Sequence, residues 1–261
     1  MRARELASVD GTITPTAEAM IALADDGLYR GDGVFEVIRL YAGRPYALTE
    51  HYDRLERSAS AIELPVERAA LEREVEALLE EFGDGDAQLR LIITRGGRRI
   101  AATETLPDKG ATVALATVSY SPTIILTGVK SLSYGANMQA TRLGQARGGD
   151  EALLVRPDGI VLEAPTSTIF WAGDGGRLRT PALDAGILDS ITRRRIVEAL
   201  DVEEGAYPLE DLLAASEAFL ASTVREVQPV TRVDEHELEQ GGARTAQARE
   251  AFDAAVAAAL D

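Results

Sequence analysis

The chain has 261 residues, 46% of them apolar, enough to bury a substantial core as one large or two small domains. Its 27 basic against 43 acidic side chains leave a formal charge of −16, which disfavours a nucleic-acid partner, and the absence of cysteine excludes disulfides, thiolate metal sites and cysteine nucleophiles. Two histidines, His51 and His236, do not build the usual zinc sphere, no run approaches the roughly 20 apolar residues of a membrane span, and MRARELASVDG lacks a signal-peptide core; a cytoplasmic protein without metal, nucleic acid or membrane partner is expected.

Residues 33–43, GVFEVIRLYAG, alternate and carry β-branched positions before Gly43-Arg44-Pro45, which reads as a strand entering a hairpin. Two helices follow: YALTEHYDRLERSASAIEL, with Thr49 as cap and Leu55, Ala59 and Ile62 at helical spacing, and residues 66–82, rich in Glu, Leu and Ala. Residues 88–94 read as a buried strand leading to Gly96-Gly97, and residues 111–120 as another. These elements make a small α+β domain of residues 1–119, and the pause at Ser121-Pro122 marks a linker over residues 120–124. In a larger second domain, residues 125–261, SLSYGANMQATRLGQARGG reads as a helix closed by Gly148-Gly149, followed by the strand EALLVR and a Pro157-Asp158-Gly159 turn. IVLEAPTSTIFWAG and RLRTPAL read as strands, and residues 191–200 and 246–260 as helices, the last one packing because it lacks a basic face for a membrane surface. The class is α/β, of the α+β kind.

Lys130 lies between the strand-like TIILTGV and a helix start. A lysine at a strand end, partly desolvated, can form a Schiff base with a carbonyl, while a solvated surface lysine suits the same position. Around it stand RGDGVFEVIR, EHYDRLERSA, VKSLSYGANM, DEALLVRPDGIVLEAPTSTIF, GILDSITRRRI and ASTVREVQPV. In this order and spacing the six blocks, spanning about residues 25–235, resemble the class IV pyridoxal-phosphate aminotransferases. That fold-type IV group includes D-amino acid transaminase, branched-chain aminotransferase and aminodeoxychorismate lyase.

The resemblance implies a two-domain enzyme with pyridoxal 5′-phosphate in the interdomain cleft, working as a homodimer on an amino donor and a 2-oxo acid. It implies that Lys130 carries the cofactor and moves the substrate proton, that Glu163 pairs with the pyridine nitrogen, and that Arg54, the backbone N–H groups of Ile191 and Thr192, and Thr223 bind the phosphate. Tyr134 matches a tyrosine facing the cofactor's ring oxygen. On the substrate side the resemblance points to Phe35, Arg30, Arg90 and Val224. Phe35 stands where D-amino acid transaminases carry tyrosine, and GRRIAATE lacks their Arg-x-His clamp. Donors are expected among D-amino acids, with branched-chain L-amino acids and aminodeoxychorismate cleavage as the alternatives.

Overall fold

The computed structural model describes residues 5–260. The chain divides into two compact units, one formed by residues up to Pro107 together with Val129–Tyr134 and Leu260, the other by Asp108–Gly128 and Gly135–Ala259.

The first unit contains β1 (Leu6–Val9), β2 (Thr12–Pro15), α1 (Asp26–Arg30), β3 (Gly33–Tyr41), β4 (Arg44–Pro45), α2 (Leu48–Ala61), α3 (Arg68–Phe82), β5 (Ala87–Thr94) and β6 (Arg99–Glu104). Its strands form one antiparallel sheet in the order β2-β1-β6-β5-β3-β4. Strand alternation sends Val34, Ile38 and Leu40 of β3 and Leu89, Leu91 and Ile93 of β5 to one face. There they pack against Leu55 and Ala59 of α2 and Leu71, Val75 and Leu78 of α3. The opposite face carries Phe35, Val37, Arg90 and Ile92. α2 starts at Leu48 behind Ala47, so Thr49 lies inside the first turn and is not the cap; no side chain caps this helix.

The second unit contains β7 (Val113–Ser119), α4 (Gly135–Ala146), β8 (Glu151–Val155), β9 (Thr168–Ala172), β10 (Leu178–Pro181), α5 (Ile191–Ala199), β11 (Val202–Gly205), α6 (Leu209–Leu213), β12 (Ala218–Ser222), β13 (Glu226–Val233), β14 (His236–Glu237) and α7 (Ala243–Leu260). Its sheet runs β11-β10-β9-β12-β13-β7-β8, with β14 beside β13. A stacked pair, Phe170 and Phe219, lies buried across β9 and β12.

Two further expectations change. The boundary at residues 119–124 moves to Pro107, because β7 finds its partners in β8 and β13 of the second sheet. TIILTGV is not a strand: residues 124–126 form a turn of 3-10 helix with Ile124 and Ile125 exposed, and no strand pairs with them among the described residues.

Candidate active site

Lys130 is built into the first unit by backbone pairing. The extended segment around it runs antiparallel to the start of β3: Phe35 N–H donates to Lys130 O at 3.0 Å, Leu132 N–H donates to Gly33 O at 2.9 Å, and Ser131 bridges Val34. Lys130 N–H donates to Ser58 Oγ of α2 at 3.2 Å. Gly33 permits the close approach, since a Cβ there would fall 2.4 Å from Ile93 O and 2.7 Å from the Leu132 side chain.

With its backbone so held, the half-buried Lys130 places Nζ 4.4 Å from the centre of the Phe35 ring and 5.9 Å from that of Tyr134. The two rings meet edge to face, 5.2 Å apart at 83°. Aromatic faces attract the cation while displacing water around it, so the amine stands against an apolar wall. Tyr134 reaches that wall through a tight turn, its N–H donating to Leu132 O at 2.7 Å, and α4 begins only at Gly135; it shares no helical face with Lys130.

On the helix side of β3, Glu36 occupies a core position and is fully buried. Its carboxylate accepts from Arg54 Nε at 2.7 Å and Nη2 at 2.6 Å, and from His51 Nδ1 at 2.7 Å. Burial opposes ionisation, but the Arg54 charge and the hydrogen bonds from Arg54 and His51 outweigh it and hold the Glu36 pKa at about 2. Burial likewise pushes His51 below its ordinary value against the pull of Glu36, leaving a neutral ring whose Nε2 is a buried acceptor with no hydrogen-bond partner. Arg54, the expected phosphate ligand, is thus oriented by two of its nitrogens.

Arg30 and Arg90, expected beside the substrate, both have acidic partners, as do Arg98 and Arg99 of the GRRIAATE segment. Arg30 pairs with Asp26, Arg90 with Glu104, Arg98 with Asp10, and Arg99 with Glu67 and Glu74.

In the second unit Glu163 Oε1 accepts Leu188 N–H at 3.2 Å, which ties this carboxylate to the loop entering α5. Burial, with the Glu163 charge adding to it, pushes the Tyr120 phenol up. Ser190 caps α5, its Oγ accepting Arg193 N–H at 3.3 Å. Ile191 and Thr192 form the first turn, whose N–H groups have no acceptor within the helix, and Thr192 Oγ1 is buried without a hydrogen-bond partner. Such a helix start suits an anion. Thr223 and Val224, both half-buried, lie in the turn joining β12 to β13. The next residue, Arg225, anchors the turn by donating to Glu151 Oε2 at 2.6 Å and to Gln228.

The structure therefore groups Phe35, Lys130 and Tyr134 in the first unit, and links Glu163 to the start of α5 in the second. Sequence reasoning missed the partners of Arg54, although an acidic residue in the core phase of VFEVIR signals that need. It also passed over a simple count: Lys109 and Lys130 are the only lysines in the chain.

A family profile described as amino-transferase class IV matches residues 33–233. The chain belongs to the class IV aminotransferases. This class IV aminotransferase is 33% identical to an aminodeoxychorismate lyase of Bacillus subtilis, over 87% of this chain and 86% of that one. It is 30% identical to a D-alanine aminotransferase of Listeria monocytogenes, over 94% and 93%. In solved form it resembles the PLP-bound form of a hypothetical aminotransferase from Mycobacterium tuberculosis, with a TM-score of 0.89, 25% identity, and coverage of 97% of this chain and 99% of that one. Its fold is that of the fold-type IV enzymes, and its cofactor is pyridoxal 5′-phosphate. The donor chemistry fits: a primary amine, a helix start with an orphaned buried hydroxyl, and a carboxylate are what the cofactor's aldehyde, phosphate and pyridine nitrogen require.

Proposed function

We propose that this aminotransferase moves an amino group from an amino acid, a D-amino acid in first place, to a 2-oxo acid, with Lys130 as the catalytic residue. The observation that carries the reading is the placement of Lys130 Nζ against the Phe35 and Tyr134 rings by a backbone paired on β3. Pyridoxal phosphate supplies an aldehyde that takes up the donor's amine and a ring that accepts the electron pair left at Cα. Lys130 holds the cofactor at rest and, once displaced by the donor, carries the Cα proton.

Arg54, the N–H groups of Ile191 and Thr192, and Thr223 hold the phosphate in this reading. Glu163 keeps the pyridine nitrogen protonated and Tyr134 faces the ring oxygen. Phe35, Arg30, Arg90 and Val224 border the substrate. The likeness to a D-alanine aminotransferase over nearly its whole length supports the D-amino acid donor. The protein works in the cytoplasm as a homodimer in this reading; Met20, Leu23 and Tyr29, large apolar side chains exposed on the first unit, suit a covered surface.

A lyase reading has one observation in its favour, the 33% identity to an aminodeoxychorismate lyase. Absorbance spectra with pyridoxal phosphate separate these readings. The visible band of lysine-bound cofactor forms in the wild type and is absent from Lys130→Ala, and D-alanine or D-glutamate converts it to the pyridoxamine form. Conversion by L-leucine instead would make it a branched-chain enzyme, and release of pyruvate and p-aminobenzoate from aminodeoxychorismate would make it a lyase. Full turnover by Lys130→Ala would overturn the role of Lys130.

A further inference from the structure

The second unit takes in the chain twice, at Asp108 and again at Gly135. Each entry is tied by side-chain hydrogen bonds to the turn that carries Thr223 and Val224. At the first entry Gln228 of β13 is the tie: its Nε2 donates to the carbonyl oxygens of Lys109 at 2.6 Å, Gly110 at 3.1 Å and Thr112 at 3.1 Å. Gly110, with a φ of +68°, curls the backbone so that these carbonyls converge on one amide. At the second entry Thr141 of α4 donates from Oγ1 to Glu151 Oε1 at 2.7 Å.

Arg225 joins the two ties. Its Nη1 donates to Gln228 Oε1 and its Nη2 to Glu151 Oε2 at 2.6 Å, while its backbone N–H donates to Ser222 Oγ at 3.3 Å across the turn. The Arg225 and Glu151 side chains are 4% and 5% exposed and Gln228 is buried with them, so a bond broken here is not made good by water. An amide and an ion pair that share partners in the interior act as one unit, since loosening one member leaves the others unsatisfied.

We infer that Arg225 and Gln228 are positioning residues for the cofactor's phosphate and the substrate: they hold the Thr223–Val224 turn in register with both chain entries, and act through its backbone rather than by contact with either ligand. The inference rests on Thr223 holding the phosphate and Val224 bordering the substrate. A displacement of about 1 Å at such a turn is enough to spoil the hydrogen bond of its hydroxyl.

Arg225→Met and Gln228→Met keep long side chains and remove their polar groups. In the cofactor-free chain, hydrogen–deuterium exchange read by mass spectrometry becomes about tenfold faster over residues 222–226 in both variants, and over residues 109–113 in Gln228→Met. Arg179→Met, which breaks the β10 pairing with Glu203 and Asp211, controls for general loosening and leaves both segments unchanged. Both positioning variants bind pyridoxal phosphate about tenfold more weakly, and bind pyridoxal, which lacks the phosphate, as the wild type does. KM for the amino donor rises while kcat at saturation stays within about threefold. The double variant is no weaker than the weaker single one, because both side chains work through one network, and Arg225→Lys, which keeps a charge beside Glu151, recovers part of the affinity. Unchanged exchange over residues 222–226 in both variants would overturn the inference whatever the turn binds. Unaltered pyridoxal phosphate affinity would also overturn it, provided that Thr223→Val weakens that affinity. If Thr223→Val has no effect, the phosphate role of Thr223 fails instead, and the exchange rates and donor KM still decide for or against Arg225 and Gln228.

Discussion

Glu36 is an acid in a hydrophobic core, and its burial cost is recovered only while Arg54 and His51 surround it. Glu36→Gln leaves the Arg54 guanidinium short of its counter-charge, and a loss of about 3–5 kcal/mol in unfolding free energy is expected, readable by urea denaturation. The pH dependence has the same origin. Glu36 is more acidic folded than unfolded, so its stabilisation is complete above its ordinary pKa of 4.5 and is lost as pH falls toward about 2. His51 is also lowered, so the unfolded chain takes up a proton first and stability begins to fall below its ordinary pKa of 6.5. Thermal melts at descending pH should show a lower Tm from mildly acid conditions downward; an unchanged Tm between pH 7 and 5 would mean that His51 is not perturbed as described, and one unchanged between about pH 4.5 and 2 that Glu36 is not.

At the scale of the element, α5 combines a good cap with an unsatisfied start. Ser190→Ala removes the bond to Arg193 N–H and is expected to cost about 1 kcal/mol in stability. Thr192→Val removes a buried hydroxyl that has no hydrogen-bond partner, so the cofactor-free chain should be as stable as the wild type or more so, while pyridoxal phosphate binds roughly tenfold more weakly by fluorescence titration. Equal affinity would place the phosphate away from Thr192. Periodicity made the long helices and the long strands of the first unit legible, because β3, α2, α3 and β5 bury the residues that their spacing marks. Short elements such as β1, β2, β6, β11 and α6 left too brief a pattern to read, and two segments misled in a different way. TIILTGV has the composition of a strand, but a strand needs a neighbour and this segment pairs with none among the described residues. β7 was legible as a strand, yet its sheet depends on β8 and on β13, more than a hundred residues further along, which no local pattern encodes. The site followed the same division: Lys130 was visible in its motif, whereas the partners of Arg54 and Arg90 appear only once the strands are in register.

For the whole molecule, 43 acidic side chains against 27 basic ones mean that ion pairing cannot neutralise the surface, even with Arg68 alone engaging Asp53, Glu56 and Glu72. Self-repulsion among the unmatched carboxylates opposes the compact state, and salt screens it. Tm should therefore rise between about 0.01 and 0.5 M NaCl; a fall would show that the ion pairs outweigh the repulsion. The route of the chain has a different bearing, on descent. Lys130 belongs to a unit that the chain leaves at Pro107 and re-enters at Val129. A single recombination crossover between these points would graft a foreign lysine strand onto β3, beside a Gly33 and Phe35 that had not co-evolved with it. Exchanging the second unit cleanly between relatives takes three crossovers, so the lysine and its aromatic wall travel together only when shuffled sequence respects a break that the linear chain does not display.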